Sequence, residues 1–251
     1  MTAATGHAVA RMRSDSLANS KTRPRLDRDD GPGSRLQRFG RCERCRLVTS
    51  HCMCELLPKL SQTHAAVCLI MGEFEALKPS NTGWLVADLL PETRAFSWSR
   101  TEPNVALLAL LADPQWQPYL VFPGEFSAPE RVVSELSPNG KRPLFILLDG
   151  TWSEARKIFR KSPYLDRIPV LSLQPEQLSR YRLRRSSHDH HFCTSEVAAL
   201  CLALAGDGHA AQTLEAWFDV FSNRYLSARQ SVPADPSDEA HQRLQALVQP
   251  T

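Results

Sequence analysis

With 251 residues, 42% hydrophobic content and a formal net charge of +3, the chain suits one soluble α/β domain with attachments, or two small domains. No apolar run approaches the length of a membrane span, and the start, MTAATGHAVARMRSDSLANSK, lacks the apolar core of a secretory signal, so a cytoplasmic protein is expected. The charge is too small to argue for a nucleic-acid partner by itself, although the basic residues are unevenly placed.

Residues 1–37 are rich in Arg, Asp, Ser and Gly without a hydrophobic period, and are expected to form a disordered, mildly basic arm. Such an arm either touches RNA or is simply solvated. Four of the seven cysteines then fall close together, Cys42, Cys45, Cys52 and Cys54, in the spacing C-x2-C-x6-C-x-C. Tetrahedral zinc takes four thiolates from two short loops, and a filled set of four leaves no open position. Residues 38–60 are therefore expected to form a structural zinc knuckle, with His51 as a competing ligand. Arg41, Arg44 and Arg46 are interleaved with it, either to meet phosphate or to form a solvated face.

The core is expected over residues 61–230. Ala65–Met71 reads as a buried strand, followed by a polar loop through Ser80, Asn81 and Thr82, any of which could cap the helical run from Trp84 to Leu90. A short strand at Thr93–Trp98, a helix at Val105–Leu111, and a strand at Tyr119–Phe122 that ends in Pro123-Gly124 follow. Arg142–Lys161, RPLFILLDGTWSEARKIFRK, is the most informative stretch. Its five apolar residues 144–148 suit a strand buried on both faces, Asp149-Gly150 breaks the run, and Thr151 with Glu154 has the spacing of a capping box. Strand, tight turn and helix thus bring Asp149, Thr151 and Trp152 to one sheet edge, where ligands bind in open α/β sheets. The same residues also suit an ordinary turn, a cap and a core aromatic.

A fifth strand is expected at Ile168–Leu173. Beyond it, Arg180, Tyr181, Arg182, Arg184 and Arg185 gather arginines around a tyrosine, which suits phosphate and base contacts or a salt-bridged surface. The tract His188–His191 is read as surface. Thr194 precedes an apolar helix that it can cap, with Glu196 favouring its positive end. Cys68, Cys193 and Cys201 adjoin apolar runs and are expected in the core. An amphipathic segment, Leu214–Leu226, closes the domain, and residues 231–251 are expected to be loose. Strands alternating with helices argue for a largely parallel sheet, with neither a P-loop nor a Gly-rich dinucleotide fingerprint.

Asp149-Gly150-Thr151-Trp152 matches the D-x-T-W signature of the DTW-domain family. The four-cysteine cluster, Glu75 with Lys78-Pro-Ser-Asn-Thr-Gly83, Ser99–Pro103, Pro123-Gly124, Tyr181-x-x-Arg184 and Thr194-x-Glu196 follow in that family's order over residues 38–229. The chain thereby resembles the tRNA-uridine aminocarboxypropyltransferases of this family. One position departs: some members carry a His just after the first core strand, where this chain has Met71-Gly72.

The resemblance implies a SPOUT-like α/β fold with a C-terminal trefoil knot, which no strand count would suggest. It implies transfer of the 3-amino-3-carboxypropyl group of S-adenosylmethionine to N3 of a tRNA uridine, with release of 5′-methylthioadenosine. Asp149, Thr151 and Trp152 are then the catalytic candidates. Pro123, Gly124, Leu173, Arg184, Thr194 and Glu196 are the donor-binding candidates. Ser80, Asn81, Thr82, Arg180, Tyr181 and Arg182 are the RNA-binding candidates, and a monomer is expected. The alternatives are a SPOUT-type RNA methyltransferase and a non-enzymatic zinc-knuckle RNA-binding protein.

Overall fold

Strand β5 (Arg142–Asp149) is the axis of the sheet, because an apolar run this long can be satisfied only with neighbours on both sides and helices on both faces. The computed structural model, which describes residues 8–19, 40–72, 74–173 and 192–248, gives it both. β1 (Ala66–Met71) and β3 (Trp116–Val121) flank β5, β2 (Arg94–Ser97) lies outside β1, and β6 (Val170–Leu171) and β4 (Val132–Val133) lie outside β3. The order is β2-β1-β5-β3-β6-β4 and every pairing is parallel. The register puts Met71 opposite Asp149, so β1 and β5 end together.

Alternation along the strands sends side chains into two cores. Val67, Leu69, Met71, Tyr119, Phe145, Leu147 and Leu171 face one side. There they meet α1 (Ala8–Asn19), α2 (Gly83–Leu89), α5 (Thr194–Leu204) and α6 (Gly208–Gln230). Cys68, Ile70, Leu120, Leu144 and Ile146 face the other side, against α3 (Val105–Ala112) and α4 (Trp152–Arg160). Cys68 and Cys201 are buried in these cores as expected, and Cys193 is half-buried beside the first.

Three local expectations are corrected. The strand expected at Tyr119–Phe122 is β3, which starts earlier, at Trp116, and runs through Pro118 to Val121. Leu120 donates from its N–H to Pro169 on the β6 side, so the donor that Pro118 lacks would have pointed the same way, below the two-residue end of β6. Its absence there costs no ladder bond. The arm at residues 1–37, expected to be disordered, contains helix α1, because Ala8, Val9 and Met12 make one small apolar face that docks beside α2 and β2. The tail, expected to be loose, contains α7 (Glu239–Val248), whose Ala240 and Leu244 pack on α6. Arg243 adds ion pairs to Glu215 and Asp219 of α6. Among the described residues no helix is long and apolar enough to cross a membrane.

Candidate functional site

The C-terminal edge of the sheet gathers the segments after β1, β3, β5 and β6, together with the first turn of α5. Asp149 stands at its middle, buried to 3% exposure on the last position of β5. Its Oδ2 accepts from Asn81 Nδ2 at 2.8 Å and its Oδ1 accepts from the Thr194 hydroxyl at 2.5 Å. Burial is the largest influence on the carboxyl and pushes it up to about 6, against the opposing pull of those two hydrogen bonds. A carboxylate with both oxygens engaged once still has free lone pairs for a further donor.

The loop after β1 is built around this group. Asn81 is itself 2% exposed: its Oδ1 accepts from the Trp84 N–H at 3.0 Å, so its amide is oriented with the nitrogen towards Asp149. Glu75, buried, pairs with Lys78, and Lys78 also lies 3.8 Å from Glu154. Gly83 follows, where a Cβ would stand 2.4 Å from Asp149 Oδ2 and 3.1 Å from Leu69 Cδ1. The glycine is therefore required by the close approach of the carboxylate, not by its backbone angles. Gly83→Ala is expected to destabilise the protein by about 1–3 kcal/mol, measured by urea unfolding, and to shift the Asp149 titration; an alanine variant as stable as the parent would contradict the packing.

Thr151 and Glu154 form the capping box that their spacing predicts: Thr151 Oγ1 accepts from the Glu154 N–H, and Glu154 Oε2 accepts from the Thr151 N–H. Thr151 is thus engaged at the start of α4. Trp152 is not a core aromatic. It is 37% exposed and stacks on Phe122 at 5.3 Å and 8°, with Phe126 edge-on at 5.5 Å and Arg156 over Phe126 at 5.0 Å. This is an aromatic and cationic ledge beside the site. Gly124 donates from its N–H to Ser172 Oγ, which ties the turn after β3 to the residue preceding Leu173.

Several expected roles change. Asn81 does not face RNA; its side chain is buried against Asp149, whereas Ser80 is exposed and Thr82 half-buried. The cap position of α5 is Cys193, not Thr194, which leaves the Thr194 hydroxyl for Asp149; Glu196 accepts from the Cys193 N–H. Arg46 is neither solvated nor available to phosphate, being 2% exposed. Arg180, Tyr181, Arg182, Arg184 and the tract His188–His191 lie outside the described residues. Sequence reasoning did not single out Phe122 and Phe126, although an aromatic on each side of Pro123-Gly124 was a usable signal.

The Sγ atoms of Cys42, Cys45, Cys52 and Cys54 all lie within 4.8 Å of one another, with Cys42 to Cys54 at 3.6 Å and Cys45 to Cys52 at 3.8 Å. None is in a disulfide. An ion with four sulfurs at about 2.3 Å in a tetrahedron has sulfur–sulfur edges of about 3.8 Å, so the donor set fits such an ion. His51 is occupied elsewhere, between Ser50 and the Val232 carbonyl. Burial and the adjacent thiolates push Cys45 up to about 11 and Cys54 further the same way. Cys42 is also desolvated, but the Cys45 and Arg44 amides bring it down to about 7. The cluster could hold a metal such as zinc, whose charge would favour the thiolate form of all four.

A family model described as "DTW domain" matches residues 40–226, which include the cysteine cluster, Asp149 and all of the edge segments. The chain belongs to the DTW-domain family. Among curated proteins, the DTW chain is 27% identical to a Drosophila melanogaster protein named tRNA-uridine aminocarboxypropyltransferase 2, over 173 residues, 66% of this chain and 67% of the relative. No solved structure matches.

Proposed function

We propose that this DTW protein transfers the 3-amino-3-carboxypropyl group of S-adenosylmethionine to N3 of a tRNA uridine. The observation that carries the proposal is the buried, twice-bonded Asp149 of D-x-T-W, with a carboxyl raised to about 6, at the C-terminal edge of a parallel sheet. The activity named for the Drosophila relative supports the same reading. The fold that goes with it is SPOUT-like with a C-terminal knot, in a cytoplasmic and monomeric protein, and the metal of the knuckle is zinc.

Uridine N3 is a poor nucleophile while it carries its proton. Asp149 takes that proton, and a base that titrates near its working pH does so with least mismatch. N3 then forms a bond to the γ-carbon of the donor's methionine arm, the carbon–sulfur bond breaks, and its electron pair stays on sulfur in 5′-methylthioadenosine. The donor supplies the sulfonium that makes this carbon electrophilic; choice of the γ-carbon over the methyl is a matter of placement. Trp152, exposed on its ledge, gives a face for a planar base. Pro123, Gly124 and Leu173 line the adenosine side by backbone contacts, Glu196 and Arg184 hold the polar end of the donor, and Ser80, Thr82, Arg180, Tyr181 and Arg182 meet the tRNA.

The decisive measurement is mass spectrometry of unmodified tRNA incubated with the protein and S-adenosylmethionine. One aminocarboxypropyl group gained on uridine, with methylthioadenosine released in equal amount, is expected. A gain of one methyl would replace the reaction by methyl transfer, and tRNA binding with no donor binding would leave an RNA-binding module.

A further inference from the structure

Arg46 is the least expected buried charge in the molecule. It follows Cys45 directly, has φ of 65°, and both of its backbone groups are held within the knuckle: its N–H donates to the Cys42 carbonyl and its own carbonyl accepts from Arg41. The side chain leaves the knuckle altogether. Its guanidinium carbon sits over the Trp84 ring, 4.4 Å from the ring centre, with Phe221 at 5.8 Å. From there Nη1 donates to three carbonyls of a single loop, Lys78 at 3.1 Å, Pro79 at 3.2 Å and Asn81 at 3.0 Å.

We propose that Arg46 is a positioning residue for Asp149: it clamps the 78–81 loop and so holds the Asn81 carboxamide against the carboxylate. A guanidinium suits this task because its long side chain carries a charged donor, Nη1, to all three carbonyls while the cation rests over an aromatic ring. An apolar side chain of equal volume would fill the space but leave three loop carbonyls without this donor. Asn81 is tied at both ends, by its backbone carbonyl to Arg46 and by its side chain to Asp149 and Trp84. The four-cysteine knuckle thereby reaches the centre of the site through one side chain. This inference rests on Asp149 being the centre of the site, and not on which group is transferred.

The test reads Asp149 directly, by carbon-13 NMR titration of its carboxyl in the metal-loaded protein without substrates. Arg46→Met, Arg46→Lys, Asn81→Ala and the double variants are compared, and an Asp149→Asn sample assigns the signal. Glu75 and Lys78 also face the carboxyl and are left intact. Losing the Asn81 donor removes a contact that favours the charged form, so the midpoint is expected to rise by about one unit in Asn81→Ala. A rise is expected in Arg46→Lys too, since the lysine keeps the charge but is too short to reach all three carbonyls.

Adding either Arg46 change to Asn81→Ala is expected to move the midpoint little further than Asn81→Ala alone, because both act through one contact. A rise in Arg46→Met with none in Arg46→Lys would assign the effect to charge alone and overturn the proposal. Fully additive rises would overturn it as well, and so would folded variants that titrate like the parent. If Arg46→Met does not fold, the lysine variant and its double variant decide. Transfer activity enters none of these readouts, so their outcome stands apart from that of the tRNA assay.

Discussion

Asp149→Asn is expected to lower transfer by about 10²- to 10⁴-fold, the usual contribution of a general base, while making the protein harder to unfold. The two effects have one cause. The carboxyl is raised from 3.8 to about 6 by burial, so it costs stability wherever it is ionised. The favourable contribution is complete below the unfolded value and is lost as pH rises through about 6, amounting to on the order of 3 kcal/mol. Asparagine removes that cost and can keep both contacts, accepting from Asn81 Nδ2 and donating to the Thr194 oxygen. At pH 8 the variant should melt several degrees higher than the parent, and the gap should close towards pH 4. In the parent, the transfer rate should rise with pH through about 6 and then level off, since the ionised form is the proposed base. A variant with normal turnover would remove Asp149 from the proton transfer; a variant less stable at pH 8 would contradict the buried charge.

Stripping the proposed metal from the cysteine cluster is expected to destabilise much more than the cluster. Cys45, Leu47, Val48 and Met53 are all at or below 4% exposure, and Cys45, Leu47 and Met53 belong to the same core as β1, α2 and α6. Arg224 of α6 donates to the Cys52 carbonyl, and His51 reaches the Val232 carbonyl after that helix. Without an ion the two loops lose the bonds that would tie their sulfurs to one centre, so the segments that carry these contacts should open. Chelation, or Cys45→Ser, should cost more than about 4 kcal/mol, the range reserved for losses such as a structural metal. Thermal unfolding reads the loss, and elemental analysis should find one zinc per chain before it. Metal-free protein with an unchanged melting temperature would mean that the thiols hold no structural ion.

The central part of this structure was legible because local chemistry and tertiary role coincide. Residues 144–148 had the length and apolarity of a strand buried on both faces, and Thr151 with Glu154 had the spacing of a capping box, which the structure forms. The cysteines announced their cluster by spacing alone. What escaped was set by partners far along the chain. Asn81 reads from the sequence as a cap or an RNA contact, and its Oδ1 does accept from the Trp84 N–H. The bond from its amide to Asp149, 68 positions away, escaped, and so did the Thr194 bond to the same carboxylate. Arg46 looked solvated among other arginines; only Trp84 and the 78–81 loop explain it. Helices α1 and α7 were missed because, among the described side chains, each buries two or three apolar residues, too few to mark a period against a polar background.

Pro118 has a consequence for how this protein behaves when crowded. Below Leu120 the outer side of β3 has no strand partner among the described residues, and such a flank invites a foreign chain to pair with it. Here the backbone nitrogen on that flank carries no hydrogen. Gln117 and Tyr119 on either side of it hold the 137–139 segment, by a bond from Asn139 Nδ2 to Gln117 Oε1 and one from the Ser137 N–H to the tyrosine oxygen. A stray strand would find no backbone donor at Pro118. The proline inside β3 thus leaves that flank with no hydrogen to offer a neighbouring strand at this position, a common way for a sheet edge to discourage pairing.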